Sequence, residues 1–366
     1  MKKIISLALI LFSLSSVFSQ TPAQEKPLTQ AEYVKLLYDL DKNPQKRDEV
    51  IKTVRRRGIS FPVTDGLRSL TSIKSRGDAE LKKTLEEAGR RQANPTASQL
   101  PNAKESTELL TKAREATLAA VEEMPDFVVK QLIQRAASYA GTNNFRNLDR
   151  LVVAVSYRSP DVEGGKGAEE YRVLSIDGVP QATPQVKSSY EEVGGTSSTG
   201  EFVTVLATIF KPESETKFEA IDTDTIRGRR AIVYGFEINV DKKPEFITVA
   251  GSGVLNNSTV SGMRGKIWID RETARVLRVE SIATDIPADF PVTAASRAID
   301  YDWVTIADEK YLLPSLSDVR LTSRYGKQMY ETRNLIRFKE YQKYGSEVKV
   351  LDDDEAPPPQ ETPKKP

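Results

Sequence analysis

From Leu28 to about Gln92 apolar residues recur at three- and four-residue intervals, and from Phe127 to about Val350 they alternate with polar ones. The first spacing lines one face of a helix and the second one face of a strand. Thr29 with Glu32 forms a capping box ahead of Tyr33, Leu36, Leu37 and Leu40, which share a helical face. Asp48 is the expected cap of a second helix carrying Val50, Ile51 and Val54, with Gly58 at its end. Leu67, Leu70 and Ile73 predict a third helix stopping at Gly77, and Asp78 opens a fourth with Leu81, Leu85 and Ala88. Together they predict a small helical bundle over 28–92.

A polar, proline-containing linker occupies 93–105. The next helix carries Leu110, Ala113, Thr117, Ala120, Val121 and Met124 on one stripe and stops at Pro125. Strands are then expected over 127–138, 148–157, 169–176, 216–226, 229–239, 245–251, 263–270, 275–284, 297–306, 310–322 and 328–340. Turn residues separate them at Asp177-Gly178, Arg227-Gly228, Asp308-Glu309 and Tyr325-Gly326. One helical interruption places Ser197, Ser198 and Thr199 before Phe202, Leu206, Ile209 and Phe210 and ends at Pro212.

The run GKIWIDRETARVLRVE, residues 265–280, crowds acids and bases between two apolar stretches. Alternation on both sides makes Arg271-Glu272-Thr273-Ala274 a connecting turn, in which Asp270 and Thr273 bond turn amides. The charges are turn chemistry and cross-strand pairs rather than a catalytic cluster. The pattern W-x-D-x-x-T-x-x-x-L-R, here Trp268, Asp270, Thr273, Leu277 and Arg278, lies in an antiparallel sheet that follows a long helix. It resembles the LolA/LolB-like lipoprotein-carrier superfamily. Residues 106–345, through LATIFKP, TIRGRRAIVYGFEI and TDIPADFP, look like uncharacterised exported bacterial proteins of that architecture. RRRGISF and RGDAELKKTLEEA resemble a helical module near the front of such proteins.

The resemblance implies an α+β fold: a small N-terminal helical bundle, then a curled antiparallel half-barrel of about eleven strands with helices packed on its concave side. It also implies an apolar cavity for acyl chains, or the sensing of envelope lipids and proteins. Ala274 stands where such hairpins commonly carry glycine, a left-handed position that costs alanine about 1 kcal/mol. The expected organisation is a signal peptide over 1–19, the helical module over 28–92, a linker over 93–105, a LolA-like half-barrel domain over 106–350 and a disordered tail over 351–366.

Composition narrows the chemistry. The chain has 53 Lys and Arg against 52 Asp and Glu, so net charge draws it to neither nucleic acid nor anionic lipid. It contains no cysteine and no histidine. Disulfides, thiolate nucleophiles, Ser-His-Asp triads and HExxH zinc sites are excluded by that alone. Lys2 and Lys3 precede an apolar run from Ile4 to Leu14 that is too short to span a bilayer. Cleavage is expected after Ser19, with Ala23 as the alternative, which makes the protein periplasmic or secreted, with no transmembrane segment in the mature chain.

Other motifs give way to plainer readings. Gly194-Gly195 with Ser197 to Gly200 lacks a GK[ST], and Glu201 at the helix start would repel a phosphate. Ser214-Glu215-Thr216-Lys217 fits S-x-x-K without its companion motifs. Asp222 and Asp224, and Asp352 to Glu355, lack a glycine-turned calcium loop. Arg55-Arg56-Arg57 suits a helix C-terminus. No catalytic residue, metal site or cofactor is expected.

The ligand-cavity candidates are Trp268, Leu277, Phe290, Tyr301, Trp303, Tyr234 and Phe236, on strands or turns where they can face the concave side. Ordinary core packing is the competing reading of the same residues. Two functions therefore stand open: an envelope protein binding a lipid, lipoprotein acyl chain or other apolar ligand as carrier or sensor, and a non-enzymatic interaction protein with a filled barrel whose helical module docks an envelope protein partner. A carboxylate or tyrosine enzyme is the third class, and it lacks any supporting motif.

Overall fold

The computed structural model describes residues 25–95, 99–142, 144–159, 168–181, 196, 200–202, 204–242, 245–251 and 254–344. The expected signal peptide, the caps Ser197 to Thr199 and the expected tail lie outside the described residues. The chain divides into two compact units, with the division between Ser98 and Gln99.

The first unit contains helices α1 (Gln30–Lys42), α2 (Arg47–Arg57), α3 (Asp65–Lys74) and α4 (Ala79–Ala93). Thr29 and Glu32 form the capping box, and Asp78 caps α4 by accepting from the Leu81 amide at 2.7 Å. Asp48 is not a cap. A 3-10 turn over Pro44–Lys46 runs directly into α2, which leaves Asp48 in the first helical turn beside Arg47. Ile73 also departs from expectation: it is 68% exposed, while Thr71 turns inward. The Thr71 hydroxyl lies 2.9 Å from the Tyr33 hydroxyl, so this buried polar pair is satisfied within the bundle. The three arginines closing α2 pair with Glu80, Glu25 and Glu32.

The second unit opens with α5 (Ala103–Glu122), capped by Asn102. Twelve strands follow: β1 (Phe127–Tyr139), β2 (Arg146–Arg158), β3 (Ala168–Ile176), β4 (Val179–Pro180), β5 (Lys217–Ile226), β6 (Arg229–Ile238), β7 (Glu245–Gly251), β8 (Val254–Asp270), β9 (Val276–Thr284), β10 (Val292–Ile306), β11 (Glu309–Tyr325) and β12 (Gln328–Lys343). Helix α6 (Thr204–Phe210) stands between β4 and β5. The strands form one antiparallel sheet in the order β4-β3-β2-β1-β12-β11-β10-β9-β8-β6-β5, with β7 paired to the first half of β8. The sheet curls without closing, so the fold is α+β with a half-barrel.

Twelve strands replace the expected eleven because β4 is a two-residue strand behind the Asp177-Gly178 turn. β8 starts nine residues before the expected 263, since its polar first half needs only β7 as a partner.

Alternation on the strands builds the inner face in two apolar clusters. One joins Leu109 and Ala113 of α5 and Val205, Leu206, Ile209 and Phe210 of α6 to β6, β8, β9 and β10. The other gathers Phe127, Val129, Ile133, Val153, Tyr157, Leu313, Ile336 and Phe338 around Met124 and Phe202. Burying such residues, at about 1.5–3 kcal/mol each, drives the helices onto the sheet. Polar pins hold the rim. Arg271 pairs with Glu105 at 2.7 Å, and the Arg275 guanidinium donates to the Ala116 carbonyl at 2.9 Å.

Strand β12 carries a local distortion with a purpose. Glu340 adopts φ 55° and its carboxylate accepts from the Lys130 ammonium at 2.9 Å; the Lys130 side chain is wholly buried. Exposing a left-handed backbone there costs about 1–2 kcal/mol, offset by neutralising a buried cation. Glu340→Ala is expected to destabilise the protein by about 1–2 kcal/mol in urea titration, whereas Glu340→Gln, which keeps an acceptor, loses less.

Candidate functional site

The seven positions expected to line one cavity fall into four places. Tyr234, Phe236 and Tyr301 are buried in the first inner cluster, beneath α5 and α6. The Tyr234 ring spans that layer, and its hydroxyl donates to the Ser106 carbonyl at 3.3 Å. Phe290 lies in a separate small cluster with Ile247 and Val292. Trp303 is 44% exposed, with the Arg275 guanidinium 5.9 Å from its ring centre.

Trp268 and Leu277 belong to the outer face, where they pack with Ala231 and Val233. The correction has a local cause. Ile267 and Ile269 enter the inner cluster, so Trp268 between them turns outward. A β-bulge then interrupts the ladder: Trp268 pairs with Arg278, but Ile269 pairs with Val276, leaving Leu277 unopposed. Such a bulge places two consecutive residues on one side, here Leu277 and Arg278.

The five residues of the hairpin motif accordingly build one outer-face brace. The Trp268 indole donates to Asp224 at 2.9 Å, and the Arg278 guanidinium lies 5.7 Å from the Trp268 ring centre. Arg278 in turn pairs with Asp300 at 2.7 Å and Glu280 at 2.6 Å. Burial works against its charge, but Glu280 and Asp300 more than offset this and raise its pKa. Asp270 accepts from the Glu272 amide at 3.0 Å and the Thr273 amide at 2.8 Å and pairs with Arg229. Ala274 takes φ 56° and is buried, the strained turn position expected from the hairpin. Trp268 and Leu277 thus brace the hairpin from the outer face, while Ala274 in its turn packs into the first inner cluster.

Two features of the inner face escaped sequence reasoning. The first is an aromatic nest. Phe127 stacks on Tyr157 at 5.2 Å and meets Phe202 edge-on at 5.2 Å, and Phe202 meets Phe338 edge-on at 5.5 Å. The Tyr341 ring centre lies 5.5 Å from that of Phe127, and its hydroxyl donates to the Pro314 carbonyl at 2.6 Å. Inward parity of Phe127 with Val129 and Ile133 was the available signal. The second feature is polar: Glu201, Gln131 and Ser317 are fully buried on this side, and Gln131 shares the inward parity of Val129 and Ile133. The Tyr171 and Tyr341 hydroxyls are both pushed well above the ordinary tyrosine range, mainly by burial and further by the Glu201 charge.

The chain is similar to a LolA superfamily protein. That protein, from Nitrosomonas europaea, is 12% identical, with 67% of this chain and 94% of that chain covered, at a TM-score of 0.25. A DUF1329 family protein from Desulfovibrio piger is 10% identical over 65% of this chain and 95% of that one, at a TM-score of 0.27. A chain of the Pseudomonas aeruginosa MucA/MucB complex is 9% identical over 64% and 93%, at a TM-score of 0.16. At these values the likenesses bring neither ligand nor residue role to this chain. No family model matches it, and no curated protein does.

Proposed function

We propose that this is an exported, non-enzymatic binding protein that takes a lipid, a lipoprotein acyl chain or another apolar ligand between the inner face of the half-barrel and its helices, as carrier or sensor. The observation that carries the reading is an apolar inner face extending over most of an unclosed sheet, with α5 and α6 packed on its first cluster and the end of α5 reaching the second through Val121. Helices held by apolar contact and a few rim bonds can separate from a sheet without breaking a hydrogen-bonded ladder. The ligand candidates Tyr234, Phe236 and Tyr301 then contribute the wall beneath α5 and α6. No helix of the described residues is long and apolar enough to cross a membrane.

The full burial of Tyr234 and Tyr301 also suits a filled half-barrel that works through an envelope protein partner. Native mass spectrometry of the protein purified from its own envelope, followed by lipid extraction, decides between the two. The expected result is an acyl species at near-stoichiometric level. A ligand-free mass that persists after incubation with envelope lipids would overturn the binding reading and favour the partner.

A further inference from the structure

Among the described residues, β4 and β5 end the main sheet and β7 bonds only to β8, so each leaves a backbone edge open. Two of these edges are guarded. β4 is only two residues long and ends in Pro180. β5 carries Lys217, Glu219, Asp222 and Asp224, and its register shifts between Ala220 and Asp222. Shortness, proline, charge and irregularity are the usual means of keeping an exposed edge from templating another strand. β7 lacks them over most of its length. Its one charged residue, Glu245, is engaged by Arg297, and its one register shift falls at the far end, between Val249 and Gly251. From Phe246 to Met263 there is no charged residue at all, in a chain that is 29% charged.

The side chains of this ribbon agree with its backbone. Ile247 packs with Phe290 and Val292 and anchors the base, which turns Phe246 and Thr248 to the other face. There Phe246 stands opposite Val260, and the Thr248 hydroxyl lies 2.9 Å from that of Ser258. Phe246 is 75% exposed and Val260 39%. An aromatic ring so open, beside an uncharged and unbonded backbone edge, marks a contact surface.

We propose that β7 pairs antiparallel with β7 of a second copy of this chain, about a two-fold axis that passes near Thr248, perpendicular to the ribbon. An antiparallel match of one strand with itself is isologous, so it closes at two copies. It brings no like charges together, because the edge from Phe246 onward is uncharged and the whole chain carries a net charge of only +1. It also sets Phe246 and Val260 of both copies on one face of a four-stranded ribbon, where they shield one another from water. A lipid surface suits the edge less well, since its unbonded N–H and C=O groups need partners that a strand supplies and hydrocarbon does not. One short strand from each copy makes a small contact, so the association is weak, in the micromolar range. The pairing is independent of any ligand at the inner face.

The test is sedimentation equilibrium of the full exported chain from about 1 to 200 µM, a range that brackets a weak dimer. A concentration-dependent shift from monomer to dimer is expected. Phe246→Lys supplies the missing guard at an exposed position and should weaken the association at least about 10-fold while leaving the urea midpoint unchanged. The chain has no cysteine, so one introduced thiol reports the geometry without background. Thr248→Cys is expected to form a disulfide between copies under mild oxidation. Ser258→Cys is not, because it lies one strand further out in each copy, about 14 Å from its counterpart. A monomer at every concentration, a dimer indifferent to Phe246→Lys, assemblies larger than two, or cross-linking at Ser258 but not at Thr248 overturns the pairing. A monomer that sediments with vesicles of phosphatidylethanolamine and phosphatidylglycerol, and no longer does so as Phe246→Lys, overturns it in favour of a lipid surface.

Discussion

Trp268→Ala is expected to lower the stability of the protein by about 3–5 kcal/mol and to leave the affinity of the folded protein for an apolar probe unchanged. Trp268 is 2% exposed and anchors the outer-face cluster with Leu277, Ala231 and Val233. Truncation opens a cavity there, removes the donor to Asp224 and takes the ring from beneath Arg278. Trp268→Phe retains most of the apolar volume and should cost less than half as much. Urea denaturation gives the stability, and probe titration below the transition gives the affinity. A variant of near-normal stability that no longer bound the probe would place Trp268 on the ligand's side of the sheet and refute the outer-face assignment.

Asp270→Ala is expected to cost about 2–3 kcal/mol at neutral pH, since two turn amides and a guanidinium lose their acceptor at once. The pH dependence follows from the direction of its shift. Burial raises the Asp270 pKa, but Arg229 and the Thr273 amide more than offset this and hold it below the ordinary carboxylate range. A carboxyl with a depressed folded pKa stabilises fully above its unfolded value, near 3.9, and the contribution disappears as pH falls through the folded value. The difference between wild type and Asp270→Asn should therefore stay level from pH 8 to about pH 5 and shrink below pH 4. A difference that widened on acidification would mean that the carboxylate is not the stabilising form.

Much of this fold is legible in the sequence because the alternation is regular where strands are paired on both sides. β1, β6 and β9 each begin within one residue of their expected positions for that reason. The polar first half of β8 was not legible, since a strand paired on one side needs no apolar face. Asp48 failed as a cap because the 3-10 turn before α2 supplies the helix start from backbone geometry alone.

The site was less legible than the fold. Parity within β8 separates Trp268 from Ile267 but cannot say which face meets the helices, as both faces are apolar there. Parity also fails along β10, where Ile299 and Tyr301 enter the first cluster whereas Val304 and Ile306 enter the second, leaving Trp303 at the surface. Gln131 shares the inward parity of Val129 and Ile133, but nothing in the sequence singles out it or Ser317 as buried polar residues. Their register depends on β12, the last strand of the described residues.

That dependence shapes how the molecule comes to exist. β1 is bonded on one side to β2 and on the other to β12, and Lys130 meets Glu340 across 210 positions. The wing formed by β1 to β4 thus has no link to the rest of the sheet until the final strand arrives. Closing so long a loop is slow compared with forming hairpins. The β1 edge waits meanwhile as an unpaired template for neighbouring chains. Assembly is therefore completed from the far end of the polypeptide, and a truncation that removed β12 would leave two separate half-sheets rather than a shortened barrel.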